Sequence, residues 1–339
     1  MPVATTARIF GYCDLVLSRR IAAVLALAAC GSKPSIKYDD YAAEQLAAQC
    51  KRLVRCGLFD TADACAAFFK LLPDTSMAAA IAEGKVRYDG EAASDCTSAL
   101  AAITCDGTSA AARQPPKACT SVFTGTVATG DTCAFDAECA SDICLVDSSS
   151  CDGTTCCDGA CADAGVVAIG GTCKVSAQCV TGAYCTIDQT CAALGQDGDS
   201  CFVDAQCDVG LGCDLATNPG LCHVFAAEGA PCTSGCAEIG DTCKAGTCVA
   251  VGLPGDPCTT AADCSPDGVC DASGMCADAP DIGMPCVGFC AADAWCDATS
   301  GTCKALFADA TFCDTNNQCQ SDYCQEGEVD TCIEPLVCD

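Results

Sequence analysis

Large side chains and positive charge are both scarce in this chain of 339 residues. Aromatic residues make up 5 %, with a single tryptophan. The apolar fraction of 51 % is inflated by cysteine and alanine, so few sizeable cores are available. The only histidine, His223, stands beside Cys222 and reads as a structural or incidental loop residue. Lys and Arg number 16 against 45 Asp and Glu, a formal charge of −29. That balance excludes nucleic acid as a partner, because phosphates are held by cationic side chains. After Cys119 the only basic residues are Lys174, Lys244 and Lys304, so no basic patch is expected there. No apolar run approaches the ~20 residues of a permanent membrane-spanning helix. Nucleophile-elbow, P-loop and dinucleotide-binding glycine patterns are missing. So are Cys-x-x-Cys pairs of the kind zinc sites present and the Asp-x-Asp-x-Asp-Gly spacing of a calcium loop. The chain is read as non-catalytic, with no cofactor and no metal site, and the acidity as a solvated, mutually repelling surface.

What is abundant is cysteine. There are 40, more than the roughly 8–10 % of residues that marks a disulfide scaffold. In Gly255-Asp-Pro-Cys-Thr-Thr-Ala-Ala-Asp-Cys-Ser-Pro-Asp-Gly-Val-Cys-Asp-Ala-Ser-Gly-Met-Cys276, four cysteines alternate with turn formers and almost no large apolar residue. A peptide below about 40 residues rarely folds without disulfides, metal or a partner. The fold class is therefore small and disulfide-rich: a small N-terminal α-helical domain, then a tandem array of short, irregular or hairpin units stapled by disulfides.

Residues 1–29 read as a targeting segment. Arg19 and Arg20 flank the apolar run Ile21–Ala29, which ends in Leu27-Ala-Ala-Cys30-Gly-Ser. Small residues before a cysteine at the end of such a run resemble the lipobox of bacterial lipoproteins. The resemblance implies cleavage before Cys30, a diacylglyceryl thioether on its sulfur and an acylated amine, and so a membrane as partner. Several acyl chains give a stable anchor where one gives a marginal one. Gly31 rather than aspartate after the cysteine leans towards the outer membrane or cell surface. Export implies an oxidising compartment. Forty cysteines less Cys13 and Cys30 leave 38, an even number that permits complete pairing.

Residues 30–38 read as a tether and 39–119 as a helical domain. Asp39 or Asp40 is placed to cap a helix with Ala42, Leu46, Cys50, Leu53 and Val54 on one face, ended by Gly57. Asp60 or Thr61 caps a second helix carrying Cys65, Phe68 and Phe69. Ser76–Glu83 is a third. Val86 and Tyr88 form an extended link, and 91–104 is a fourth helix with Ala93, Cys96, Leu100 and Ile103 inward. Cys50 and Cys56 lie about 9 Å apart along a helix, too far to pair. Cys56 and Cys65, flanking a tight turn, are the expected local pair. Cys56-Gly-Leu-Phe-Asp-Thr-Ala-Asp-Ala-Cys65 resembles a helical module of cysteine-rich, myxobacterial-type lipoproteins, which implies no activity. The Thr-rich stretch 120–129 reads as a linker.

Residues 130–339 repeat, with units opening at Cys133, Cys173, Cys201, Cys232, Cys258, Cys286 and Cys313, most about 28 residues apart. A Gly-x-x-Cys entry precedes six of them, and Ala310 breaks it in the last. The first unit has seven cysteines and the last five, so odd partners must look outside their units or stay free. Four cysteines allow three pairings. The expected one is first–third with second–fourth, Cys258–Cys270 and Cys264–Cys276, and the others remain open. The spacing Gly-x-x-Cys-x5-Cys-x5-Cys-x5-Cys resembles the Dickkopf N-terminal cysteine-rich domain over 170–191, 198–222 and 255–276. The units at Cys232 and Cys286 depart from it with a three-residue first gap. That animal family acts in Wnt signalling; only its scaffold is carried over. Phe289, Trp295 and Phe307 are expected to form a local mini-core.

The expected function is that of a lipid-anchored cell-envelope protein whose acidic, disulfide-rich rod binds or adheres to an envelope or extracellular protein or glycan. The alternatives are a spacer without a specific ligand and a thiol redox or metal-buffering protein.

Overall fold

The computed structural model describes residues 33–69, 75–146, 159–163, 165–215, 217–232, 235–286, 289–291, 293–308, 311–313, 318–320, 324–325 and 331–332. The chain divides into two compact units, 1–34 and 35–339. Only Lys33 and Pro34 of the first are described. The expected lipidation site Cys30 lies outside the described residues, as do Cys151, Cys156, Cys157 and Cys338.

The helical part holds α1 (Tyr38–Arg55), α2 (Ala62–Phe68), α3 (Thr75–Ala82), α4 (Gly90–Ala102) and a short α5 (Ala110–Arg113). Helix α1 starts ahead of both expected caps. Lys37 takes the extended N-cap position, and Asp39 and Asp40 fall in the first turn, where carboxylates favour the positive end of the helix dipole. Gly57, at φ 75°, terminates it. Thr61 caps α2, its Oγ1 accepting from the Ala64 N–H at 3.1 Å, and Asp89 caps α4 through the N–H groups of Glu91 and Ala92. Ala42 is exposed rather than inward. Its neighbour Tyr41 is buried instead, in a core with Ala92, Ala93, Cys96 and Val122 where α1 crosses α4. The rings of Tyr38, Tyr41, Tyr88 and Phe123 close that core, edge to face except for the tilted Tyr88–Phe123 pair, an arrangement that suits the charge distribution of aromatic rings. The Tyr41 hydroxyl donates to the Cys96 sulfur at 3.4 Å.

The expected Cys56–Cys65 pair does not form. Cys65 bonds Cys50, Cys56 bonds Cys105, and Cys96 bonds Cys119. Cys50 points from α1 into the contact with α2, beside Phe59, and is as buried as Cys65. Cys56 sits past the end of α1, free to reach the loop after α4.

The stretch 120–129 is not a linker. Val122 is fully buried. Phe123–Gly125 is strand β2, antiparallel to β1 (Val86–Tyr88) in the register Val86↔Gly125. Val127 already makes the first contact of the array, donating to Glu138 O at 2.9 Å.

The units share one disulfide alternation, and the unit opening at Cys258 shows the full plan. In the unit opening at Cys258, Gly252 forms a parallel bridge to Cys264. A turn at Gly255 (φ 97°) follows, then a short 3-10 helix Ala261–Asp263 and a hairpin of Gly268–Cys270 with Cys276–Asp278. Cys270 and Cys276 stand directly opposite each other in that hairpin. The bonds are Cys258–Cys270 and Cys264–Cys276. The same alternation joins Cys133–Cys144 and Cys139–Cys161 in the first unit, and Cys313–Cys324 and Cys319–Cys332 in the last. The entry glycine is required by its backbone. Gly130, Gly170, Gly198, Gly229, Gly255 and Gly283 all have φ between 76° and 97°, which disfavours a side chain. Each donates its N–H to the carbonyl of its unit's closing cysteine at 2.8 Å. Because the parallel bridge lies three residues upstream of that glycine, the repeating unit begins near Val127 and not at Gly130. Most of the apolar interior is sulfur: in the unit at Cys201, four cysteines pack together with Leu211 alone beside them.

The array is not a rod standing free of the helical part. The units at Cys201 and Cys232 are fastened to the loop after α4. Gly107 N–H donates to Ala237 O at 2.8 Å, Ile239 N–H to Cys105 O at 3.0 Å and Gly210 N–H to Thr108 O at 2.9 Å. The Arg113 guanidinium donates to the carbonyls of Asp204, Cys207 and Asp208 at 3.1–3.3 Å. Gly240 lies so close to Cys56 that a Cβ there would stand 1.9 Å from the Cys56 carbonyl oxygen.

Candidate functional site

Three features of the described residues bear on function: the sulfur clusters, a hollow beside His223, and a groove between α2 and the later units. In each cluster three sulfurs lie within 4.8 Å of one another, for example those of Cys258, Cys264 and Cys276. That closeness comes from two disulfides in contact. Each sulfur is spent in an S–S bond and offers no thiolate, the form that ligates metal or attacks disulfides. Every cysteine among the described residues is paired.

The clusters are held by a device the cysteine pattern alone does not reveal. The residue just before the second cysteine turns its side chain back to the backbone beside the first. Glu138, Gln178, Gln206 and Asp263 accept from the N–H groups of Ala134, Lys174, Phe202 and Thr259, each at 2.7 Å. Three residues before the second cysteine, Asp136, Ser176 and Asp204 accept from the N–H of the third. Four of the acidic residues, Asp136, Glu138, Asp204 and Asp263, are therefore loop-locking acceptors and not only solvated surface. The hydrogen bonds from Thr259 and Thr260, with Lys244 at 3.4 Å, hold the Asp263 carboxyl well below the usual aspartate range. A Lys304 ion pair and the Ser300 and Thr299 donors do the same for Asp297. The units at Cys232 and Cys286, with three residues between their first two cysteines, have no room for this loop. The sequence signal is an acidic or amide residue at one fixed offset, legible only once the loop's hydrogen bonds are known.

The hollow beside His223 has a volume of about 460 Å3 and is lined by Asp197, Asp214, His223 and Phe225 among others. His223 Nδ1 lies 2.8 Å from Asp197 Oδ1, a surface pair with both side chains well exposed. The cysteine of the described lining, Cys232, is in a disulfide, so that lining offers no thiolate for the imidazole to activate.

The groove is larger, about 810 Å3. Phe68 and Phe69 line it from the end of α2, and Phe289 from the unit at Cys286. Asp60 stands on the α2 side; Asp267, Asp278 and Asp281 stand opposite, and no Lys or Arg is among the described lining residues. Phe289 does not join the mini-core expected with Trp295 and Phe307. Those two rings meet at 5.6 Å, while Phe289 is 61 % exposed. Phe68 and Phe69, expected on the second helix, are also partly exposed. No family model, curated protein or solved structure matches this chain.

Proposed function

We infer that this chain is an exported, lipid-anchored protein of a bacterial outer membrane or cell surface, acting by binding an envelope or extracellular protein or glycan and not by catalysis. The disulfide-stapled units are its scaffold, and the acidic, phenylalanine-lined groove is its binding surface. The observation that carries the reading is the pairing of every described cysteine, in the helical part and in each unit alike. Structural disulfides of this density are characteristic of an oxidising compartment. The lipobox-like Leu27-Ala-Ala-Cys30 supplies a route there and an anchor. Dickkopf-like spacing enters only as a scaffold resemblance.

Cell fractionation with intact-mass measurement tests the reading. The wild-type chain is expected in the membrane fraction, starting at Cys30 and carrying acyl mass, and Cys30→Ser is expected to lack the acyl mass and to keep residues 1–29. An unacylated wild-type chain, or Cys30→Ser processed at the same position, contradicts it.

A further inference from the structure

We propose that the groove between α2 and the units opening at Cys258 and Cys286 binds a cationic segment of a partner protein, seating lysine or arginine side chains between its phenylalanines and its aspartates. The proposal rests on the binding reading above and names the partner's chemistry. The aromatic wall is preorganised. Phe59, 1 % exposed, holds Phe68 at 5.6 Å and Phe69 at 6.0 Å, and those two rings stand edge to face at 5.1 Å. A fixed wall keeps low the ordering cost that binding otherwise carries. Phe68 and Phe69 are 38 % and 39 % exposed, so ring surface remains for a ligand. Cations are drawn to ring faces, arginine most often.

The opposite wall is anionic. Asp267 Oδ1 is shielded from solvent and has no hydrogen-bond partner, and Asp278 and Asp281 stand exposed beside it. That oxygen of a half-buried carboxylate has room for a donor, and the described lining supplies no cationic one. A lysine or arginine with a long alkyl stem meets both walls at once, its stem against phenylalanine and its head on carboxylate. An acidic partner is repelled by the same groove, and a neutral glycan brings no charge to balance the aspartates.

The test uses the purified disulfide-intact chain and fluorescein-labelled peptides, (Arg-Leu-Ala)4 and (Glu-Leu-Ala)4, followed by anisotropy at 25 and 250 mM NaCl. The arginine peptide is expected to bind, the glutamate peptide not to bind, and the affinity to fall at the higher salt. Asp267→Asn/Asp278→Asn/Asp281→Asn is expected to weaken binding at least tenfold, and Phe289→Ser at least threefold. The control Asp39→Asn/Asp131→Asn/Asp188→Asn removes the same charge from exposed positions outside the groove and is expected to change affinity less than twofold. Equal losses in the two triple variants mean diffuse attraction to an acidic surface and overturn the proposal. Absent binding overturns it too, as does salt-insensitive binding, the behaviour of a neutral, glycan-type contact. None of these outcomes alters the fractionation result, so the anchored-protein reading fails or stands separately.

Discussion

Glu138 shows how much of the fold rests on single acceptors. It is completely buried, yet it is a carboxylate, because two groups need it. Its Oε2 accepts the Ala134 N–H, and its Oε1 stands 3.3 Å from the Lys85 ammonium, which joins the strand region of the helical part to the first unit. Gln178 and Gln206 do the first task with a neutral amide. Glu138→Gln is therefore expected to cost less, on the order of 1 kcal/mol, than Glu138→Ala at about 2–3 kcal/mol, which leaves the half-buried Ala134 N–H without its acceptor while Lys85 keeps Glu83 at 3.0 Å. Urea denaturation checks this, and equal losses in the two variants refute the role given to the acceptor. Tyr88 makes the pH case. Burial first, then the nearby Tyr41, Asp89 and Asp40, push its hydroxyl up to about 12. The folded pKa lies above the unfolded one near 10, so this contribution to stability is full below pH 10 and is lost as pH rises towards 12. Thermal melts should show that loss, and Tyr88→Phe should flatten it; an unchanged slope in Tyr88→Phe contradicts the assignment. Glu138 did not stand out in the sequence, because a buried glutamate and a surface glutamate read alike until their partners are placed, and Tyr88 stood out only as part of an extended link.

Among the elements, the helices and the units were largely legible and the long-range links were not. Apolar spacing and cap residues placed the four longer helices to within a few residues. Evenly spaced cysteines with an entry glycine marked the units, because a turn with positive φ and a closing carbonyl leaves little choice of residue. The Cys56–Cys105 bond escaped for a physical reason. Its partners are 49 residues apart, and a nearer thiol, Cys65, looked better placed until helix geometry turned Cys50 towards it. Strand β2 escaped because its three residues form no pattern of their own and are fixed by pairing with β1. Within a unit, Cys264→Ser/Cys276→Ser removes one of two staples and about 3 kcal/mol of loop-closure stabilisation. Limited proteolysis should then cut within 252–278 first while 38–119 stays protected. Loss of protection throughout contradicts the modular plan.

The whole molecule is a covalent network in place of a greasy interior. Net charge disfavours compaction of so acidic a chain, and the described residues answer it with disulfides, acceptor-locked loops and a few paired cations. That the array folds back on the helical part was not legible. The contacts run through backbone groups of 105–108 and 237–239 and through Arg113, whose carbonyl partners carry no sequence signal. The groove was hidden for the same reason: Phe69 and Phe289 are 220 positions apart in the numbering, and only that folding back makes them neighbours. The central claim is that cross-linked sulfur, and not apolar packing, holds the units together. The most direct measurement is iodoacetamide labelling of the unreduced chain, followed by circular dichroism during stepwise reduction. No label is expected on any cysteine of 50–144 or 159–332, and the array's structure is expected to be lost as the bonds open. Substoichiometric label spread over those cysteines, or a spectrum unchanged after complete reduction, would contradict it.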